Sequence, residues 1–256
     1  MISIIMATYN RAATLMRAVN SVLAQSLPDW ELIIVDDGST DETPQILAGI
    51  DDLRISMHRH PTNRGVTAAK NTGFDHIRGG WFTLLDSDDE MTPDAFAVML
   101  ECAERTGATA ITCNCTDSVT GKMSGIGPTC DGWLTAEEAG RCRGEHWGLT
   151  ETSLLGDLRF DERLPGFEST VWLKINAVAR RYYLHRALRI YHTEGADRMS
   201  MTSRHAGLKR KVKVYAALGE DAMYLEALRA QDPEGYRRTM PRVWVARVLR
   251  PLLGRS

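Results

Sequence analysis

Three short clusters hold most of the side chains in this sequence that could do chemistry. They are Thr8, Tyr9, Asn10 and Arg11; Asp36, Asp37, Gly38, Ser39, Thr40 and Asp41; and Asp86, Ser87, Asp88, Asp89 and Glu90. Two of the three are dense in carboxylates. Their mutual repulsion is relieved if one set contacts neutral ligand groups and the other holds a divalent cation. Asp86 and Asp88, at alternate positions, suit magnesium or manganese, hard cations that complete their shell with water and substrate phosphates. For Asp89, Glu90 and Asp94 the favoured reading is a solvated acidic loop opening a helix, where the helix dipole stabilises carboxylates. A dinucleotide fold or a Walker loop would need a glycine-rich turn after the first strand, and Met6 to Arg11 has none.

Each cluster follows an apolar run that reads as a strand: Ile2 to Ala7, Leu32 to Val35, and Trp81 to Leu85. Between and after them the spacing predicts helices. In Ala12 to Leu23, the residues Leu15, Val19, Val22 and Leu23 recur at helical intervals; further helices are expected through Gln45 and Ile46 and from Thr67 to Ile77. A weak strand is expected at Arg54 to His58, a helix capped by Thr92 with Pro93 in its first turn, and a strand at Ala108 to Cys113. Strands alternating with helices predict an α/β fold with a mostly parallel sheet. Ligands of such sheets bind beyond the carboxyl ends of the strands, so the three clusters should converge. From Ser118 to Gly148 the glycines cluster and the reading is loop. A helix is expected from Ser169 to Arg181, and a basic amphipathic region from Leu208 to the end.

The 256 residues are 43% hydrophobic and 25% charged, which is ordinary for a globular chain able to bury a core. A net charge of -2 gives no support to a general nucleic-acid binder. The five cysteines are an odd number, and Cys113 and Cys115 lack the second pair that a thiolate zinc site repeats, so free thiols in a reducing compartment are expected. Met1 to Met6 lacks a basic leader and is too short for a signal core or a membrane span, so a cytoplasmic protein is expected, or one peripheral at the inner face of the membrane.

Several segments together resemble one family. They are SIIMATYNR (Ser3 to Arg11), SVLAQ (Ser21 to Gln25), ELIIVDDGSTD (Glu31 to Asp41), NRGVTAAKNTG (Asn63 to Gly73) and WFTLLDSDDEMTP (Trp81 to Pro93). In order and spacing they are similar to family 2 of the inverting, GT-A fold nucleotide-sugar glycosyltransferases. The resemblance implies a nucleotide-sugar-binding half over residues 1–115, an acceptor and catalytic-base half over 116–205, and a basic helical tail over 206–256. It also implies that Asp37 hydrogen-bonds the nucleobase, most often uracil, while Ala7 and Tyr9 line the base pocket. Asp86 and Asp88 would form the DxD motif, with Asp88 the direct ligand of Mn2+ or Mg2+, Asp86 near the donor ribose or a metal-bound water, and Ser87 beside the donor. Lys70 stands where the family often has arginine; it would pair with the diphosphate, or be an ordinary surface lysine. In FDERLPGFESTVW (Phe160 to Trp172) an acidic pair is reduced to Phe167 and Glu168, making Glu168 the expected general base, with Asp161 or Glu162 as substitutes. In YHTEGADRMS (Tyr191 to Ser200), His192 is a candidate metal or phosphate contact and Arg198 a candidate phosphate clamp.

The implied activity is single-displacement transfer of a sugar to a glycan or lipid-linked acceptor hydroxyl. Two rivals differ in kind. A nucleotidyltransferase would begin with a glycine-rich basic loop, which is missing; a catalytically silent sugar-nucleotide-binding or scaffolding protein would explain the reduced acidic pair. The tail interleaves Arg237, Arg238, Arg242, Arg247, Arg250 and Arg255 with Val243, Trp244, Val245, Val248, Leu249, Leu252 and Leu253. It reads either as a helix lying on a membrane surface or as one packed on the domain or on a second subunit of a homodimer. Pro241 and Pro251 are expected to bound any continuous helix.

Overall fold

The computed structural model describes residues 1–164, 166–193 and 208–253. Its centre is a sheet in the order β3-β2-β1-β4-β8-β6-β9-β5, with β7 on β9. The first four strands in that order are parallel: β3 (Ile55–Arg59), β2 (Trp30–Asp36), β1 (Ile2–Thr8) and β4 (Trp81–Leu84). Both faces of β1 are covered, which is why its sequence is nearly continuous in apolar residues. The period of two sorts them. Ile2, Ile4 and Met6 meet helices α1 (Leu15–Leu23) and α4 (Ala95–Thr106), whereas Ile5 packs with Phe74 of α3 (Val66–Phe74) and with Phe82. Helix α2 (Thr43–Ala48) follows the second acidic cluster.

Beyond β4 the sheet becomes mixed. β5 (Glu90–Met91), β7 (Gly132–Leu134) and β8 (His146–Glu151) pair antiparallel, while β6 (Ala110–Asp117) runs parallel to β9 (Arg181–Tyr191). The expected loop from Ser118 to Gly148 is corrected here, because it contains β7, α5 (Ala136–Arg141) and the start of β8. Helix α5 opens with a capping box, Thr135 and Glu138 satisfying each other's backbone N–H groups. The helix α6 (Ser169–Val178) ends three residues before the expected Arg181, which instead opens β9. Thr92 does not cap α4; its hydroxyl donates to Asp94, which occupies the N-cap position.

The tail folds as α7 (Leu208–Glu220), α8 (Ala222–Gln231) and α9 (Pro233–Leu249). Asp221 and Asp232 cap the last two by accepting from the N–H groups of Tyr224 and Gly235. Leu218, Tyr224, Leu228 and Val243 form one buried cluster with Leu164 and with Leu173 of α6, so the tail packs on α6 and the loop before it. Pro241 does not bound a helix. It lies inside α9 on the exposed side, as does Arg237, whose carbonyl loses its helical donor where water can replace it.

Candidate active site

The first two clusters are tied to each other. Asn10 adopts a positive φ of 52°, which its short polar side chain tolerates, and its Oδ1 accepts from the Thr40 N–H at 2.8 Å. The Asn10 N–H donates to Ser39 Oγ at 2.9 Å. Gly38 is required on two counts: its φ is 76°, and a Cβ there would lie 2.7 Å from the Thr62 carbonyl carbon. Asp37 is buried and anchors the neighbouring loop. Its carboxylate accepts from the N–H groups of Arg64 at 3.0 Å and Gly65 at 2.7 Å, and meets His60 Nδ1 at 2.7 Å. His60 Nε2 in turn lies 2.8 Å from Thr72 Oγ1, so a nucleobase N–H would add to a carboxylate already oriented by three partners. Ala7 is half-buried at the end of β1, and the Tyr9 ring is 40% exposed beside it.

The third cluster is organised by two buried cations from distant parts of the chain. Lys70 of α3 places Nζ 2.5 Å from Glu168 Oε1 and 3.6 Å from Asp86 Oδ1. It is 6% exposed, so the surface-lysine alternative is overturned. Burial alone would lower its pKa, but the Glu168 and Asp86 carboxylates outweigh burial and raise it. Arg189 of β9 donates to Asp86 Oδ2 at 2.8 Å and forks onto Asp89 Oδ2, one arm at 2.8 Å. Burial would raise the Asp86 carboxyl; Lys70 and Arg189 instead hold it down at about 2. Asp89 is therefore not part of a solvated loop. It is 1% exposed, paired to Arg189, and also accepts from the His192 N–H at 2.8 Å. Ser87 is buried, its carbonyl accepting from Thr14 Oγ1 at 3.2 Å.

Asp88 stands apart. Its carboxylate is about one-third exposed, with Arg11 Nε at 3.8 Å. Among the described residues no three His, Cys, Asp or Glu side chains gather into a metal cage. A divalent ion that takes most of its ligands from water and phosphate needs only one or two protein groups, and Asp88 fits that demand. His192 presents Nε2 to Glu90 Oε1 at 2.8 Å and leaves Nδ1 buried without a partner among the described residues. A histidine whose one nitrogen is held by a carboxylate is oriented to offer the other to a metal. Asp86 is engaged by Lys70 and Arg189, which leaves it the less available of the two DxD carboxylates. Arg198 lies outside the described residues.

A cavity of about 340 Å³ opens beside this network. Lys70, Asp86, Glu168 and Arg189 line one part of it, with Trp172 of α6 and Trp147 of β8 as apolar wall. Glu168 occupies the N-cap position of α6 and lines this cavity. Asp161 and Glu162 do not line it: the first is bound by Arg163 at 2.6 Å and the second by Arg64 at 3.1 Å. Glu145 lines it too, its carboxyl raised by burial and by the charges of Asp86 and Glu168.

Residues 3–125 match the model of "Glycosyl transferase family 2". Through that segment, a little under half of its length, the chain is similar to glycosyl transferase family 2. It is 29% identical over 248 residues to a "GalNAc(5)-diNAcBac-PP-undecaprenol beta-1,3-glucosyltransferase" of Campylobacter jejuni, covering 93% of this chain and 78% of that one. It is 41% identical over 107 residues to the succinoglycan biosynthesis protein ExoO of Rhizobium meliloti, covering 42% of this chain and 31% of that one. The fold matches a crystal structure of S. aureus TarS 1-349 in complex with UDP-GlcNAc at a TM-score of 0.75 and 19% identity, over 96% of this chain and 72% of that one. The architecture is thus GT-A, and the chain is a glycosyltransferase. Of the residues expected from the family 2 pattern, Lys70, Asp86 and Glu168 meet at one cavity, while Asp37, Ala7 and Tyr9 sit at the ends of β1 and β2. Sequence reasoning missed Arg189, Glu145 and His60. Arg189 lies within an unbroken strand, and only its pairing to a distant loop reveals a role.

Proposed function

We propose that this glycosyltransferase moves a sugar from a nucleoside diphosphate, foremost a UDP-sugar, onto a hydroxyl of a lipid-linked acceptor, inverting the anomeric configuration. The observation that carries this reading is the placement of Glu168 at the cavity, joined through Lys70 to Asp86 of the DxD motif. In this reading the nucleobase lies against Ala7, Tyr9 and Asp37. Asp88, helped by His192 and Asp86, would hold Mn2+ or Mg2+, which would supply positive charge against that developing on the diphosphate. Arg198 clamps phosphate oxygens. Glu168 takes the proton of the acceptor hydroxyl while its oxygen attacks the anomeric carbon from the face opposite the departing diphosphate. Lys70 orients the Glu168 carboxylate through a charge-assisted contact. The printed substrate of the Campylobacter relative, a sugar on diphosphoundecaprenol, supports a lipid-linked acceptor here, and the UDP-GlcNAc held by TarS supports a UDP donor.

We further infer peripheral contact with a lipid surface through α9. No described helix is long and apolar enough to cross a membrane. Trp244, Val245 and Val248 are exposed on α9, among the arginines of the same helix.

The test is transfer from radiolabelled UDP-sugars to synthetic diphosphate-linked acceptors, with the product anomer read by NMR. Inverted product is expected, and Glu168→Gln should lower turnover by roughly 10²–10⁴-fold with donor binding kept. Retained configuration, or near-normal turnover of the variant, would remove Glu168 from the role of base.

A further inference from the structure

The cavity extends away from Asp86 to an end that the proposed chemistry leaves unused. Arg181 and Thr112 line it there with Leu134, Ala139 and Cys142. Arg181 pairs with Ala110 and Arg189 with Cys115, five positions along β6, which puts the two guanidinium-bearing backbones roughly 17 Å apart at strand rise. The two arginines are treated differently. Arg189 has the carboxylates of Asp86 and Asp89. Among the described residues, the Arg181 guanidinium donates from Nη1 to Thr112 Oγ1 at 2.7 Å, and its Nε is sealed from solvent with no acceptor.

Among the described residues no carboxylate pairs with Arg181. The thiol of Cys142, which lines the same part of the cavity, is itself raised by burial and so uncharged at neutral pH. Burial lowers the Arg181 guanidinium to about 10, which still leaves it charged at neutral pH. Arg181 is half-buried, with its Nε sealed from solvent; a partly desolvated cation without a counter-ion is costly, and a site that retains one is poised for an anion. Its backbone is fixed between β6 and β7, so the guanidinium is held on rigid elements rather than on a loop.

We propose that Arg181, supported by Thr112, receives a negatively charged group carried by the acceptor, either a phosphate ester or a sugar carboxylate. This rests on the glycosyltransferase reading and adds a specificity determinant to it. An arginine fork is matched to both oxyanions, and a neutral acceptor would leave it unpaired.

The full chain, saturated with UDP and manganese, is titrated calorimetrically with methyl α-D-glucoside, methyl α-D-glucuronide and α-D-glucose 1-phosphate. At least one charged probe should bind tenfold or more tightly than the neutral one, and which of the two it is identifies the source of the charge. Arg181→Gln, which keeps a donor for Thr112, should abolish the preference, and Arg181→Lys should keep part of it. Equal binding of all three, binding of none, or a preference surviving Arg181→Gln would overturn the proposal. Should Arg181→Gln fail to fold, salt reads the same ion pair: the charged probe must weaken with added salt on the wild-type chain, and insensitivity overturns the assignment. UDP binding by the wild-type chain is recorded first. Its absence would overturn the donor-site reading, whereas UDP binding without a charge preference overturns only the anion site.

Discussion

Arg189 is the side chain on which the acidic third cluster depends. Two carboxylates, Asp86 and Asp89, share one guanidinium that is 5% exposed; Asp86 keeps Lys70 when it is removed, but Asp89, 1% exposed, is left without a cation. Arg189→Met should therefore destabilise the fold by roughly 3–5 kcal/mol in urea denaturation, while a loss below about 1 kcal/mol would mean that the network relaxes or hydrates. Asp86 makes a pH-dependent contribution of definite sign. Its carboxyl is held at about 2, below the ordinary 3.8, so the stability it contributes is complete above about pH 4 and is lost as the pH falls through 2. The gap in unfolding free energy between the wild-type chain and Asp86→Asn should thus close between pH 4 and pH 2. A gap that stays constant over that range would show that Asp86 is not held by Lys70 and Arg189. Of these residues the sequence makes the acids visible, because carboxylates spaced two apart after a strand are unusual. The cations that hold them come from α3 and β9, and their pairing is fixed only by the fold.

At the level of elements, the parallel half is legible because β1 and β2 are continuous apolar runs ending in polar clusters, a pattern imposed by burial on both faces. The region from Ser118 to Gly148 is not, because β7 is three residues long and the glycines there have several roles. Gly148, for instance, sits where a Cβ would collide with the Ile111 carbonyl across the β6–β8 pair, so it marks close strands rather than a loop. The tail was readable as basic and amphipathic, but its division into α7, α8 and α9 depends on Asp221 and Asp232 as caps and on Leu173 as a docking partner. Its remaining apolar stripe gives a prediction. The chain should sediment with vesicles of anionic phospholipid, less so at high salt, and Trp244→Ser with Val248→Ser should abolish this. Unchanged sedimentation of the double variant would contradict lipid contact through α9, as would finding the stripe buried in a homodimer.

For the whole molecule, the parallel strands supply one surface on which the ends of β1, β2 and β4 converge, and the later part of the chain adds Glu168, Arg189 and the cavity wall. The two parts are joined where Lys70 of α3 contacts Glu168 at the start of α6, and in the proposed reading donor and acceptor chemistry would meet there. The silent-scaffold alternative has no use for that junction. The central claim is a donor site that binds a nucleoside diphosphate through Asp88 and a divalent cation. Calorimetric titration of the full chain with uridine, guanosine, adenosine and thymidine diphosphates, each with manganese and with chelator, tests it most directly. The account predicts that UDP binds, that chelator or Asp88→Ala weakens it at least tenfold, and that Glu168→Gln leaves it intact. A folded chain that binds none of the four, or binds UDP equally well with chelator and in Asp88→Ala, would contradict it.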